Sequence, residues 1–443
     1  MNQTIDTAAC NKMETAPVSR LLVSMSLPPL LSMFLQYSYN FIDSAFVASL
    51  SEDALSAVSL SYPITLFMIS CSVGLGVGFN VLIATYLGEK RQADADKTAT
   101  LGLLLSFVCG IILTFLVRLF CGSYFHLFTD DEALFSLCME YMSVFAFIQL
   151  PNMMHVMIQK IIQATGNMIG PMLFQMAGVV FNFIFDPILI YGLGPFPKMG
   201  ILGAAISSIG GYFVSLFLAL WMLFCTKQKI HCQIKGFSFE AKTALTALRL
   251  GFPSFVMNLL SSVMTALTNV FLTAYSMTAV AFFGAYSKAL QLIVMSVNGI
   301  IQGALPLMSF CHGNKNEYRL MKSYHLGTIL AGGSMAVGGL ILALFPGHIL
   351  SVFSASDEML SIGIPAIRIM ILGYAFNGIS TMIATYLQAT EHVIKSLIIN
   401  LMRQFLVLFP MMWVLSVLFG LSGIWIAFPV TEFITFITAY LMQ

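Results

Sequence analysis

The sequence predicts an all-α polytopic membrane protein whose twelve transmembrane helices form two parallel six-helix bundles, related by a pseudo-two-fold axis along the membrane normal. Three observations support this prediction: an apolar composition, a division into twelve spans and an internal repeat. Of the 443 residues, 58% are hydrophobic and only 9% are charged, whereas soluble domains carry about 25% charged residues. The net charge of +1 gives no electrostatic basis for binding nucleic acid.

The twelve spans come from the lengths of the apolar runs. A helix needs about 20 apolar residues to cross roughly 30 Å of hydrocarbon, and charged and turn residues divide the chain into runs of that length or longer. The predicted spans are 21–50, 54–87, 98–122, 134–162, 167–193, 200–225, 245–275, 278–311, 324–347, 359–389, 393–419 and 421–441.

The loop charges predict the orientation of the spans. Loops after odd-numbered spans carry few cations, chiefly Arg118 and Lys198, and hold the acidic clusters 52–53, 130–132 and 357–358. Cytoplasmic loops are enriched in Lys and Arg, so both termini are expected in the cytoplasm. The loops after even-numbered spans carry Lys90, Arg91, Lys97, Lys227, Lys229, Lys235, Lys242, Arg249, Lys315, Arg319, Lys322 and Lys395.

An internal duplication appears at a fixed offset. Pro28 matches Pro253, because 253 − 28 = 225, and the pairs Gly88/Gly313, Gln163/Gln388 and Phe128/Phe353 share that offset. The hydrophilic stretch 226–242 separates the halves, which predicts bundles at 1–225 and 243–443 with a cytoplasmic linker between them. Parallel repeats of this kind are typical of transporters that work by alternating access; a channel or a structural scaffold is the alternative.

Two acidic residues inside the predicted spans are candidates for function, because a charge within the membrane is costly unless it is paired or hydrated. Asp43 lies toward the outer end of span 1 and Asp186 lies within span 5. Asn182 shares a helix face with Asp186, and Ala204 and Ser208 share a face of span 6. If these faces meet, their oxygens suit either Na⁺ or a shared proton. Alternatively, Asp186 hydrogen-bonds neighbouring helices and Asp43 lines a hydrated vestibule.

Span 1 carries further polar residues and a predicted bend. Gln36, Tyr39 and Asn40 lie within two turns of Asp43, and they either contact a substrate or satisfy one another between helices. Pro28 in span 1 and Pro253 in span 7 are expected to kink their helices, since each removes a backbone donor. The kink makes the helix beside Asp43 a candidate hinge.

Other charged residues embedded in the spans are left without an assigned partner by the sequence. They are Glu140, Lys288, Arg368, Arg403 and Glu432. For Glu432 the simplest interpretation is an ion pair with a cation on a neighbouring helix. The cysteines show no close pairing, so neither a disulfide framework nor a metal centre is predicted beyond Na⁺ at the cation site.

The whole chain resembles the multidrug and toxic compound extrusion (MATE) transporters, most closely their DinF-like branch. The resemblance rests on the segments "LPPLLSMFLQYSYNFIDSAFVASLSEDALSAVSL", "QATGNMIGPM", "FNFIFDPILIYGLGPFPKMGILGAAISS" and "LSGIWIAFPVTEF". It implies a cation site formed by Asp43, Asn182, Asp186, the Ala204 carbonyl and the Ser208 hydroxyl, where the family carries Thr in place of Ser208. Spans 7 and 10 hold no Asp or Glu, so the second acidic site of some relatives is expected to be absent.

The resemblance implies a secondary active multidrug efflux transporter that exchanges amphipathic organic cations for Na⁺ or H⁺. No enzymatic activity is expected, because the sequence holds no P-loop, HExxH or GxSxG string. No cofactor is expected apart from the coupling ion, and the expected partners are organic cations and membrane lipid, with a monomer in the inner membrane as the functional form. A lipid-linked oligosaccharide flippase of the same superfamily and a gated or ungated pore are the alternatives.

Overall fold

The structure is a computed structural model that describes residues 10–48, 50, 52–127, 129, 131–232, 239–351 and 356–443. Within these ranges the chain forms helices and no β-strand, and twelve segments are long and apolar enough to cross a membrane. The predicted fold class is therefore confirmed. Phe128 and Phe353 of the predicted repeat, Asp130 and Lys235 lie outside the described residues.

Seventeen α-helices account for the spans and their connections in the described chain. They are α1 (Cys10–Thr15), α2 (Val18–Ala48), α3 (Glu52–Gly88), α4 (Gln92–Phe125), α5 (Glu132–Phe145), α6 (Gln149–Ala164), α7 (Ile169–Tyr191), α8 (Ile201–Cys225), α9 (Ala241–Thr273), α10 (Met277–Gly313), α11 (Glu317–Leu344), α12 (Pro346–Ser351), α13 (Asp357–Met370), α14 (Tyr374–Ala389), α15 (Val393–Leu401), α16 (Leu408–Phe419) and α17 (Leu421–Met442). Single turns of 3₁₀-helix join α5 to α6 and α13 to α14, and a π-helix (Met402–Leu406) joins α15 to α16.

The chain divides into two compact units whose limits differ from the predicted bundles. The N-terminal unit is Leu31–Phe255, and the C-terminal unit combines Met1–Leu30 with Val256–Gln443. Each change of unit occurs two residues after a predicted hinge proline, Pro28 in α2 or Pro253 in α9. Both prolines lie inside their helices.

The predicted linker 226–242 belongs in its described parts to the N-terminal unit. Lys229 Nζ donates to the Thr165 carbonyl at 3.1 Å, and the His231 backbone N–H donates to Asp96 Oδ1 at 2.9 Å. These bonds attach the start of the loop to α4 and to the end of α6. A hydrophilic stretch in the sequence marks an exposed connection, but it does not mark the border between the compact units.

Small residues bring the helices of each unit into close contact. In the N-terminal unit α3 and the first part of α9 pack backbone to backbone at Gly74 and Gly251, and a Cβ on Gly74 would lie only 2.6 Å from Phe255 Cβ. In the C-terminal unit a Cβ on Gly299 would lie 2.9 Å from Leu30 Cβ. Close approach of small residues is a common way for transmembrane helices to associate.

The backbone repeats itself at the offset found in the sequence. The 3₁₀ segments Ala146–Ile148 and Ile371–Gly373 begin at this offset, since 371 − 146 = 225. Lys90 and Lys315 both have positive φ angles, 63° and 53°, and they share the offset because 315 − 90 = 225. Both lysines follow the C-terminus of a helix, so the two halves share their turns as well as their helices.

The π-helix accounts for a change in this offset. Before it, Gly166 (φ 85°) corresponds to Glu391 (φ 64°), with 391 − 166 = 225. After it, Gly203 packs on Leu189 while Gly423 packs on Leu415, and 415 − 189 = 226. The Val407 N–H donates to the Met402 carbonyl at 3.0 Å, which is the wide turn of a π-helix. The second half therefore accommodates one additional residue inside this helix.

Candidate functional site

The predicted cation-site residues all lie in the N-terminal unit, on three helices. Asp43 is on α2, Asn182 and Asp186 are on α7, and Ala204 and Ser208 are on α8. Asp186 is fully buried at 0% exposure. Asn182 and Ala204 are also buried, whereas Asp43 and Ser208 are partly exposed.

Glycines bring α7 and α8 close enough to form one face of this site. A Cβ on Gly203 would lie 2.6 Å from the carbonyl carbon of Leu189. Gly211 lies directly against the carboxamide of Asn182, where a Cβ would overlap its oxygen. The absence of a side chain at Gly211 lets Asn182 lie against the backbone of α8, and Asp186 follows one turn further along α7.

The two carboxylates lie near each other and have no basic partner. Asp43 is close enough to Asp186 for the two charges to repel each other. Among the described residues neither carboxylate forms an ion pair with a Lys, Arg or His side chain. Because like charges in a site of low polarity are costly, a positive charge bound between the two carboxylates would lower the energy of the pair.

Hydroxyl groups surround the buried carboxylate. Tyr39 and Ser207 lie next to Asp186, and Ser208 lies next to the Tyr39 hydroxyl. Within the described chain, both Asp186 oxygens, the Ser207 hydroxyl and the Tyr39 hydroxyl are buried without a regular hydrogen bond. Several oxygen atoms thus converge in a small volume with unused capacity to bind an ion or a proton.

Ser207 was missed by the sequence interpretation, which selected its neighbour Ser208. Ser207 is completely buried at 0% exposure, and its hydroxyl is the one beside Asp186. Positions 204, 207 and 208 share one face of α8, because residues three and four apart are neighbours on a helix. The i, i+4 spacing of Ala204 and Ser208 therefore indicates a helix face on which Ser207 also lies, but it gave no reason to prefer Ser207 over Ser208.

The other polar residues predicted on α2 are arranged differently. Gln36 Nε2 donates to Asn40 Oδ1 at 3.3 Å, and the Asn40 side chain is exposed. This bond runs along one helix and not between helices, and the role of these two residues as substrate contacts stays a prediction. Tyr39, in contrast, is 6% exposed and belongs to the group around Asp186.

Aromatic residues form the inner boundary of the site. Tyr141 is buried near both carboxylates and stacks on Phe145 with ring centroids 4.8 Å apart. Tyr212 lies near Tyr141 and packs against His155, whose ring is also buried and whose two nitrogens have no hydrogen-bond partner among the described residues.

The atoms around Asp186 that could bind an ion are mostly oxygens, which suits hard cations such as Na⁺. No cluster of three His, Cys, Asp or Glu residues suited to a transition metal occurs in the described ranges.

The remaining embedded charges separate into exposed residues and one ion pair. Glu140, Lys288 and Arg368 are exposed on the helices that carry them. Arg403 and Glu432 form an ion pair of 3.7 Å within the C-terminal unit, with side-chain exposures of 11% and 15%. The expected cationic partner of Glu432 is therefore Arg403.

Comparisons with known proteins agree with this architecture. A protein-family profile described as MatE matches residues 28–188 and again residues 253–414. The starts of the two matches differ by 253 − 28 = 225, and their ends differ by 414 − 188 = 226. The family profile thus follows the same duplication and the same one-residue shift as the backbone.

Individual relatives cover nearly the whole chain. An FAD transporter of Shewanella oneidensis is 26% identical over 429 residues, covering 96% of this chain and 94% of the relative. The multidrug export protein MepA of Staphylococcus haemolyticus is 24% identical, covering 97% and 95% of the two chains. A solved outward-facing multidrug resistance MATE transporter of the MOP superfamily matches with a TM-score of 0.92 and 24% identity, covering 97% of this chain and 96% of that one.

The duplicated profile, the twelve membrane-spanning helices and these relatives identify the protein as a multi-pass membrane transporter, not an enzyme, and the chain belongs to the MATE family.

Proposed function

We propose that the protein is a secondary active multidrug efflux transporter that exports amphipathic organic cations in exchange for Na⁺ or H⁺. The observation that carries this proposal is the close approach of Asp43 and Asp186, two acidic side chains without a basic partner in the described chain. Binding of a cation removes their repulsion, and its release restores the repulsion. The occupancy of the site is therefore a source of energy for a conformational change.

The membrane potential contributes to this exchange when more ion charges enter than drug charges leave. Each such net charge that crosses 100 mV gains about 2.3 kcal/mol, which supports a drug gradient of between one and two decades. In the proposed cycle the outward-facing protein binds the ion, releases the drug, turns inward and exchanges the ion for cytoplasmic drug. Pro28 and Pro253 lie where the chain passes between compact units, and we assign them the role of hinges.

The proposed setting follows the sequence expectations. We place the protein in the inner membrane as a monomer, with both termini in the cytoplasm and membrane lipid around its apolar helices, and in the DinF-like branch of its family. The substrate class is supported by relatives with the name multidrug export protein MepA. The choice between Na⁺ and H⁺ is left to the experiment.

A transport assay tests this function. Purified protein in liposomes is loaded with a fluorescent organic cation, and efflux is followed after a Na⁺ or pH gradient is imposed. We expect one of the two gradients to accelerate efflux by the wild type, and Asp43→Asn and Asp186→Asn to abolish that acceleration. Asp94→Asn, which changes an exposed acid in the first turn of α4, is the matched control. Full acceleration in both site variants would show that the cation site is misassigned.

Export of a flavin dinucleotide is a second candidate function. It is favoured by the 26% identity to an FAD transporter over 96% of this chain. The same liposomes loaded with FAD test it, because flavin fluorescence reports release directly. Release of FAD at a rate that matches that of the organic cation would support this candidate, and retention of FAD would exclude it.

The flippase and the pore receive less support. A diphosphate, whether in a lipid headgroup or in FAD, needs a surplus of cations, but the most buried of the three candidate cations, Arg403, is compensated by Glu432 at 3.7 Å, and Lys288 and Arg368 are exposed. The FAD candidate therefore rests on the relative alone, and the flippase has no such relative among those described above. A pore has no use for a buried acidic pair as an energy source. In the efflux assay described above, an efflux rate that is the same with and without either ion gradient would favour a pore.

A further inference from the structure

A groove lined mainly by aromatic side chains lies on the C-terminal unit, between the last turns of α9 and the segment formed by the π-helix and α16. Its volume is about 490 Å³, within the range of about 300–1,000 Å³ that is typical of small-molecule sites. All of its residues belong to one compact unit, and none of them is charged. We call it the aromatic groove, and it is lined by Phe271, Phe405, Leu406, Phe409, Pro410 and Trp413.

The aromatic groove is open at the surface of the protein. Trp413 is 64% exposed, Leu406 is 53% exposed and Phe405 is 42% exposed. Large apolar residues with this much exposure are accessible to any molecule that reaches the same face of the unit. The groove therefore requires no opening movement to admit a ligand.

The phenylalanine rings of the groove face in two directions. The Phe271 and Phe409 rings are nearly parallel, with an angle of 14° between their planes and centroids 6.4 Å apart. The Phe405 ring stands at 71° to the Phe409 ring, with centroids 5.5 Å apart. Rings in two orientations allow one ligand to contact more than one ring face. The face of an aromatic ring carries partial negative charge and attracts cations.

Two of the aromatic residues have no aromatic counterpart in the first half of the chain. At the offset of 226 that follows the π-helix, Trp413 corresponds to Pro187. Phe405 corresponds to a valine at either offset, because Val179 and Val180 are adjacent. The first half therefore builds the same helical arrangement without these two rings. Phe405 also lies in the π-helix, and turns of this kind often occur at functional sites.

The C-terminal unit does not repeat the acidic pair of the other unit. Asp43 corresponds to Thr268, because 268 − 43 = 225, and Asp186 corresponds to Met412, because 412 − 186 = 226. No carboxylate therefore occupies either equivalent position. A small ion such as Na⁺ would lose its water in the aromatic groove and gain no oxygen ligand from the lining side chains. A large cation with a shielded or delocalised charge holds water less strongly and suits aromatic faces.

From these observations we propose that the aromatic groove binds large organic cations with a shielded or delocalised charge, such as quaternary ammonium and tetraarylphosphonium ions. The ring faces provide the attraction, and the lining holds no Lys or Arg that would repel the ligand. A lipid acyl chain would fit an apolar groove equally well, but it gains nothing from the negative ring faces. The proposal rests on the proposed function, because the ligand is taken to be cargo, and it assigns a cargo site to the unit that lacks the acidic pair.

Two ions of the same shape and opposite charge test this inference. Radiolabelled tetraphenylphosphonium, a cation, and tetraphenylborate, an anion, are titrated separately against the purified protein without any ion gradient. We expect Phe405→Leu with Phe409→Leu to weaken binding of the cation roughly tenfold, because leucine keeps the groove apolar but removes two ring faces. Binding of the anion should not weaken. Phe213→Leu with Phe217→Leu, which changes an exposed ring pair on α8, is the matched control and should bind both ions like the wild type.

Trp413 provides an independent measurement. Trp221→Phe leaves Trp413 and the buried Trp425 as the only tryptophans. Tetraphenylphosphonium should change the fluorescence of this variant, and the change should disappear when Trp413→Phe is added. If Phe405→Leu with Phe409→Leu does not fold, Trp413→Leu alone replaces it, since this residue is largely exposed, and it should weaken binding of the cation severalfold.

The outcomes separate the groove from the proposed function. Binding of the cation that is unchanged by loss of the rings would overturn the proposal, and so would an equal loss for the two ions, which would indicate a lipid chain as the natural occupant. Ring-dependent binding of the cation would support the groove even if the efflux assay showed no response to either ion gradient. That second result would contradict the proposed exchange alone.

Discussion

Gly74 packs against Phe255 so closely that a Cβ on the glycine would lie 2.6 Å from Cβ of the phenylalanine. The equivalent pair at the offset of 225, Gly299 and Leu30, repeats this contact with a separation of 2.9 Å. Each contact therefore attaches one of the two helices with a predicted hinge proline, α2 or α9, within its own unit, two residues beyond Pro28 or Pro253. Duplication of the sequence has preserved the contact and not only the helix count.

The Gly74 contact predicts a large difference between two glycine substitutions. Gly74→Ala should destabilise the protein by about 1–3 kcal/mol, because the neighbouring atoms include the Phe255 backbone and cannot move aside. Gly284→Ala is the control, since nothing lies within 4 Å of its added carbon, and it should leave stability unchanged or raise it. Thermal unfolding in detergent measures both effects. Equal midpoints for the two variants would contradict the described packing.

Ser207 provides a test of the geometry around Asp186. Ser207→Ala removes the buried hydroxyl beside the carboxylate, and one such interaction is worth about 1 kcal/mol. If the coupling ion is Na⁺, we therefore expect its half-saturating concentration to rise roughly fivefold; if it is H⁺, the half-saturating concentration should fall, because the hydroxyl stabilises the ionised carboxylate. Ser38→Ala is the control on α2, because this exposed hydroxyl bonds only to its own helix, at the Phe34 carbonyl. The half-saturating ion concentration is obtained by measuring transport rates over a range of ion concentrations. An unchanged value in Ser207→Ala would exclude the Ser207 hydroxyl from the site.

The Arg403–Glu432 pair should show strong non-additivity in stability. Removing one partner of a buried pair costs about 3–5 kcal/mol, and less here because the side chains are 11% and 15% exposed. Arg403→Gln should therefore unfold at a lower temperature than the wild type, whereas the double variant with Glu432→Gln should recover most of the loss. Thermal unfolding of the single and double variants gives the coupling. Losses that simply add would show that the two charges do not interact.

Cys232, in the loop after α8, is expected to react slowly with thiol reagents. Burial, and secondarily the nearby Asp96 carboxylate, raises the pKa of Cys232 to about 12. At pH 8 only about one such thiol in ten thousand is ionised, compared with about a quarter of ordinary thiols. In single-cysteine variants, maleimide should label exposed Cys225 rapidly and Cys232 slowly, and the Cys232 rate should rise about tenfold per pH unit between pH 8 and 11. Equal rates at pH 8 would contradict the described environment.

The sequence alone was sufficient to predict the helical membrane class and the number of spans, because long apolar runs permit few alternatives. It also selected Asp43, Asn182 and Asp186 as candidates, since charged and amide groups are rare in such runs, and their role stays a prediction. It did not distinguish Ser207 from Ser208. Adjacent residues point in different directions around the helix axis, and the packing of α8 against α7 decides which of them faces Asp186. The partner of Glu432 was equally inaccessible, since Arg403 lies in a π-helix, which has no simple sequence signal.

The limits of the compact units were also beyond the sequence interpretation. The longest hydrophilic loop suggested a border at 226–242, but the close packing of Gly251 on Gly74 assigns the first part of α9 to the N-terminal unit. Glycine contacts of this kind depend on which faces of two helices meet. A single sequence shows where the glycines are, but it does not show that Gly251 contacts Gly74.

The most direct test of the proposed coupling reverses the transport experiment. Liposomes that contain the protein receive a gradient of organic cation and no ion gradient, and dyes inside them report Na⁺ and pH. The account predicts that drug movement drives one of these ions in the opposite direction in the wild type. Asp43→Asn and Asp186→Asn should each abolish that ion movement while Asp94→Asn preserves it. Ion movement at the wild-type rate in either site variant would contradict a coupling site formed by both carboxylates.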